Sequence, residues 1–150
     1  KKKIFISQNS VSSSFMKVNN KHLSAAPESV QSSYQIIDVI TLDEVFKNII
    51  KVNGNEPVFL KIDVQGYEIN ILEGFPFSKY NIPLLLVEAS FTGLYDGQGD
   101  FNQLINLLYK NNYSIIEIIL NNKFRAKNKL NSLLQSDFIL CRNDYLNKFN

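Results

Sequence analysis

Apolar residues along this chain recur in two alternating periods. Near-continuous apolar runs of strand length stand at 3–6 (KIFI), 35–40 (QIIDVI), 58–64 (VFLKIDV), 84–89 (LLLVEA), 114–120 (SIIEIIL) and 137–142 (DFILCR). Between them the spacing becomes helical. Leu42, Val45, Phe46, Ile49 and Ile50 predict a helix over 42–51 with one apolar face, opened by the capping-box pattern Thr41-Leu42-Asp43-Glu44. VNGNEP at 52–57 signals a turn. Gly66 to Glu73 reads as a short helix broken by Pro76, and Asp100 caps a helix in which Phe101, Leu104, Ile105 and Leu108 share a face. Ser7 to Ser33, rich in Ser and Asn, has little periodicity and reads as a long excursion, a form that is often functional or disordered. A loop or short helix is expected between the last two strands, and no internal repeat is found. Strands apolar on both faces and alternating with helices imply an α/β fold whose parallel sheet is covered on both sides.

Length and charge narrow the picture. At 150 residues the chain fits one domain, with an excursion region over 1–33 and an α/β core over 34–150. The net charge of +2 comes from scattered residues, and the one basic run, Lys1-Lys2-Lys3, reads as a frayed end rather than a nucleic-acid patch. No apolar segment approaches the roughly 20 residues that a membrane helix needs. The start has no apolar signal-peptide core and no initiator methionine, so the chain reads as processed, cropped or a fragment. A single cysteine, Cys141, excludes an internal disulfide and reads as a buried structural thiol in FILC. The single His22, in a polar stretch, reads as a surface histidine and leaves no histidine metal site.

Two carboxylates stand out. Asp63 closes the strand at 58–64 and Glu88 closes the strand at 84–89. In open α/β sheets ligands bind beyond the carboxyl ends of parallel strands. If these two strands are parallel neighbours, about 4.8 Å apart, both acids emerge at one edge and can share a proton, a metal or a substrate hydroxyl. The alternative is that Asp63 caps the helix beginning near Gly66 and Glu88 pairs with a surface lysine. Glu68 reads as a first-turn acid favoured by the helix dipole, and Gly66 as the residue of a tight turn or of close ligand approach.

LKIDVQGYEINILEG at 60–74 resembles the signature of the FkbM family of S-adenosylmethionine-dependent methyltransferases. ITLDEVF at 40–46 looks like the family's Thr-Leu-Asp segment. LLVEASFTGLYDGQGDFNQLINLLYKNNYSI at 85–115 is similar to its acidic strand end, Leu-Tyr-x-Gly turn and following helix. NSVSSSF at 9–15 resembles a Ser-Ser-Leu stretch, with Phe15 where leucine is usual. For those serines a glycan-facing loop and a flexible linker are the two readings.

The resemblance implies a partial class I methyltransferase Rossmann-like sheet, mostly parallel with an antiparallel closing strand. The implied activity is cytoplasmic methyl transfer from S-adenosylmethionine to an oxygen of a small-molecule or glycan acceptor, often a sugar hydroxyl or a secondary metabolite. It assigns Asp63, Gln65, Glu68 and Glu88 as catalytic candidates, and Ser12, Ser13, Ser14 and Tyr95 as acceptor contacts. Asp63 or Glu88 would orient or deprotonate the acceptor hydroxyl, while proximity to the sulfonium methyl supplies most of the rate.

A full-length member also carries a strand with an Asp-x-Gly-Ala-Asn-type loop, and a second strand ending in a ribose-binding acid. Neither is found here, so cofactor-binding residues stay unassigned and the chain corresponds to the C-terminal half or two-thirds of such an enzyme. Gly97-Gln98-Gly99 is the only close glycine pair; with Asn102 where a third glycine would be needed, it reads as a turn. A non-catalytic binding or assembly module that keeps the fold is a second reading. A phosphoacceptor receiver domain is a third, weakened because IFISQN at 4–9 lacks the acidic pair it needs. In the family's sheet the strand at 58–64 pairs with the missing first strand, which leaves an unpaired edge that tends to recruit another chain. The chain alone is therefore expected to self-associate or bind a partner fragment, and a strictly monomeric, well-folded species by light scattering contradicts this.

Overall fold

The computed structural model describes residues 1–120 and 124–148. Among them the elements run β1 (Lys2–Ser7), α1 (Asn20–Ala25), β2 (Gln31–Ile37), α2 (Leu42–Glu44), β3 (Phe59–Ile62), α3 (Glu68–Glu73), β4 (Leu84–Ser90), α4 (Phe101–Lys110), β5 (Tyr113–Leu120), β6 (Gln135–Arg142) and α5 (Asn143–Leu146). They form two sheets. β1 and β2 pair antiparallel by themselves, and a four-stranded sheet has the order β3-β4-β6-β5.

The expected mostly parallel sheet is found in part. β3 and β4 pair parallel and β5 runs in the same direction, while β6 lies antiparallel to both β4 and β5. Where no crossover helix intervenes, consecutive strands return antiparallel, and β5 and β6 are joined without one in the described residues. The antiparallel last strand is present, inserted between β4 and β5. The first two strands, expected in the parallel sheet, instead form a separate ribbon.

Burial is also one-sided. Along β4 buried residues alternate with half-buried ones, and along β3 with exposed ones, leaving Phe59 58% exposed. The buried face, with Leu60, Ile62, Leu85, Val87, Phe138 and Leu140, packs in one core with Leu72 of α3 and Leu104 and Leu108 of α4. Tyr113 joins that core and donates its hydroxyl to the Ile82 carbonyl at 2.7 Å. β3 is an edge strand with β4 as its only described partner. No helix among the described residues is long and apolar enough to cross a membrane.

Both predicted caps form. Thr41 accepts from the Glu44 amide while Glu44 accepts from that of Thr41, and Asp100 and Gln103 do the same for α4. The predicted helix 42–51 widens at once into a π-helical stretch, Val45–Ile50, ending on Lys51 at φ 56°. That wider turn breaks the 3.6-residue spacing, so Phe46 is buried while Ile49 and Ile50 are exposed.

The excursion is packed, not a flexible linker. Besides α1 it holds 3-10 turns at Ser10–Ser12 and Pro27–Ser29, and Ser7, Ser12, Ser14 and Ser29 are buried. His22, read as a surface residue, is 3% exposed, with its ring edge-on to Tyr95 and Phe124 at 5.1 Å. Cys141 is a buried free thiol, as read from its run. The connection after β5 falls partly outside the described residues; from 124 to 134 it is loop, with one bridge between Arg125 and Leu133.

Two substitutions test this architecture by chemical denaturation. Leu140→Ala, at a fully buried site in β6, is expected to cost about 2–5 kcal/mol, and Asp100→Ala, which removes one cap, about 1 kcal/mol.

Candidate active site

The parallel pairing of β3 and β4 brings the two acids together. Leu60 to Ile62 face Leu85 to Val87, so the residue after β3, Asp63, comes level with Glu88 near the end of β4. Glu88 does not close its strand, since Ala89 and Ser90 continue it. Nor does Asp63 cap α3; Tyr67 holds the cap position and gives no side-chain bond.

Between β3 and α3 the chain turns through two left-handed residues, Gln65 at φ 54° and Gly66 at φ 93°. A Cβ on Gly66 would stand 2.9 Å from the Tyr95 ring, so both the backbone and the close approach require glycine. Glu68 is 4% exposed and accepts the amides of Val64 and Gly66, each at 3.1 Å. Burial pushes its carboxyl above the usual range, against the pull of these amides.

That turn projects Gln65 between the acids. Its Nε2 donates to Asp63 Oδ1 at 2.8 Å and to Glu88 Oε2 at 3.2 Å, while its Oε1 accepts the Tyr95 hydroxyl at 2.8 Å. Gln135, the first residue of β6, donates from Nε2 to Glu88 Oε1 at 2.6 Å. Lys61 pairs with Asp63 Oδ2 at 3.0 Å. Burial, followed by repulsion from Asp63, Glu68 and Asp137, pushes Glu88 up to about 8, with Lys61 opposing. Burial also raises Tyr95 well above its ordinary value, which keeps its hydroxyl a donor.

Asp63, Gln65, Glu88, Gln135 and Ser12 line one cavity of about 490 Å³. His22, Glu28 and Phe124 line it as well. Glu68, Ser13, Ser14 and Tyr95 do not, and their polar atoms point to protein partners. Ser14 Oγ donates to the Gln65 carbonyl at 2.6 Å, Ser13 Oγ accepts the Ser7 amide at 3.1 Å, and Ser12 and Ser29 share a hydrogen bond of 3.0 Å.

Of the twelve lining residues, only Ser12, Asp63, Gln65 and Glu88 were legible as site residues in the sequence, and the missed ones include three with chemistry to offer. Gln135 reaches Glu88 across the sheet from 47 residues away, with no local motif to mark it. Glu28 and His22 sit in the excursion, where the solitary histidine was the one available signal. Burial lowers the His22 pKa, the Glu28 charge opposing.

The model of the Methyltransferase FkbM domain family matches residues 3–115. No curated protein and no solved structure matches the chain. The matched span contains both acids and the Gln65 bridge, whereas Phe124 and Gln135 lie beyond it. With more than half of its length accounted for, the chain belongs to the FkbM methyltransferase domain family.

Proposed function

We propose that the cavity is the acceptor site of a cytoplasmic S-adenosylmethionine-dependent methyltransferase that modifies an oxygen of a sugar, glycan or secondary metabolite. Family membership supports methyl transfer in general, and S-adenosylmethionine is the donor it generally implies. The observation that carries the reading is the Gln65 bridge, which holds two carboxyl groups at the wall of one cavity.

The described residues do not fit the body of the donor. Gly66 is filled by Tyr95, a Cβ on Gly99 would collide with Ile69, and Gly97 turns in open space, so these glycines build no cradle. When bound, the donor supplies a methyl group on positively charged sulfur. What this chain's own residues fit is the acceptor.

In this reading Asp63 accepts the proton of the acceptor hydroxyl. It is the more open of the two acids, its side chain 31% exposed and oriented by Lys61 and Gln65. Glu88 is tied on both oxygens and stays protonated up to about pH 8, so it positions Gln65 without adding a second charge beside Asp63. The β3 edge would pair with a second copy of the chain.

The glycine packing favours one second reading, a binding or assembly module without catalysis. Calorimetry with S-adenosylmethionine is expected to show no tight binding by this chain alone; saturating heat of binding contradicts the misfit of its glycines and removes the case for the second reading.

In the intact enzyme, with its donor-binding part present, Asp63→Asn is expected to lower turnover about 100-fold or more with an unchanged melting temperature. Unchanged turnover overturns the role of Asp63. For Glu88 the sign follows from linkage. Its folded pKa of about 8 exceeds the ordinary value of about 4.3, so between these the folded state holds a proton that the unfolded state has lost. Stability therefore falls as pH rises through that window. Relative to Glu88→Gln, the unmodified chain should lose roughly 5 °C or more of melting temperature between about pH 5 and pH 8.

A further inference from the structure

The cavity is rich in groups that accept hydrogen bonds and poor in groups that donate them. Glu28 and Asp63 line it as carboxylates beside the protonated Glu88, and among the described residues no lysine or arginine does. Its glutamine and serine donors serve protein partners. Gln65 Nε2 serves both Asp63 and Glu88, Gln135 Nε2 serves Glu88, and the Ser12 and Ser29 hydroxyls bond to each other. Two lining side chains, each more than nine-tenths buried, carry an atom without a protein partner, Nδ1 of His22 and Oε1 of Gln135, and both atoms are closed off from solvent. The His22 and Phe124 rings add aromatic surface to the same wall.

Such a wall is completed by a ligand that donates. Hydroxyl groups do so, and an ammonium group does so with a charge opposite to that of the carboxylates. A phosphate or carboxylate brings only acceptors, and would enter a desolvated space beside like charges with no cation lining it.

Resting on the reading of this cavity as the acceptor site, we propose that its occupant is a polyol bearing a protonated amine, of the amino-sugar class, and that sugars carrying a phosphate or a carboxylate are rejected. Glu28, exposed where it lines the cavity, receives the ammonium, while Asp63 receives a hydroxyl. This selection concerns binding and is independent of how the methyl group arrives.

The single histidine lies in the cavity wall, so its imidazole proton resonances report occupancy directly. The full chain is titrated at low ionic strength with glucosamine, glucose and glucose 6-phosphate. Saturable shifts of His22 are expected with glucosamine about fivefold tighter than with glucose, and none with glucose 6-phosphate at the same concentrations. Glu28→Gln should erase the fivefold preference while glucose still shifts His22. Glucose 6-phosphate moving His22 as strongly as glucosamine overturns the proposal, and so does a His22 that none of the three sugars moves. Either result leaves the proposed methyl transfer standing, since that depends on the turnover of Asp63→Asn.

Discussion

One buried carboxylate holds the turn on which the site depends. Glu68 reaches back from the first turn of α3 and takes the amides of Val64 and Gly66, which have no strand or helix partner of their own. Buried amides left unpaired are costly, and a non-glycine residue in the left-handed region carries a further penalty, here at Gln65. Both costs are met locally by a single side chain. The turn is also clamped from outside. Ser14 donates to the Gln65 carbonyl, and the Tyr95 ring closes over Gly66. Gln65 is therefore held through its backbone, and Asp63 by the Lys61 and Gln65 side chains.

The second constraint is charge. Asp63, Glu68, Glu88 and Asp137 lie close enough to influence one another, with Lys61 the paired cation at Asp63. Four carboxylates in a partly desolvated space cannot all ionise without a large penalty. The structure answers with amides instead of additional cations. Gln65 and Gln135 each donate to carboxylate oxygens while adding no charge, and Glu88 keeps its proton into the neutral range. An arginine in place of Gln65 would set a positive charge beside Glu88 and favour its ionised form. The amide leaves Asp63 as the more open group and Glu88 as its neutral neighbour.

Local chemistry was legible in the sequence, and long-range pairing only in part. The capping residues Thr41 and Asp100 could be read because a cap is decided within four residues. The level placement of Asp63 and Glu88 followed once their strands were taken as parallel neighbours, which they are. The direction of β6 was not encoded in its own apolar run, because a strand buried by its neighbours looks alike in either orientation. The same limit hid Gln135. The π-helical stretch was invisible for another reason, since Ile49 and Ile50 fit a 3.6-residue period that the backbone does not follow. In the excursion, polarity was mistaken for exposure. Ser12, Ser14, Ser29 and His22 are buried because their partners are supplied by other loops and by aromatic rings, which no window of local hydropathy detects.

This division of labour explains why the least periodic segment matters. The sheet edge contributes Asp63, Gln65 and Glu88, groups fixed by strand pairing and the Glu68 turn. The opposing wall, with Asn9, Ser12, His22, Glu28 and Ser29, comes from the excursion, which β1 and β2 hold at its two ends by pairing with each other. A rigid edge suits proton handling, where small displacements are costly. A loop wall carried on an independent ribbon can change its side chains without disturbing the four-stranded sheet. The excursion is thus the part of the chain whose side chains can vary without disturbing the sheet, and at the cavity it carries the acidic Glu28 and the buried His22.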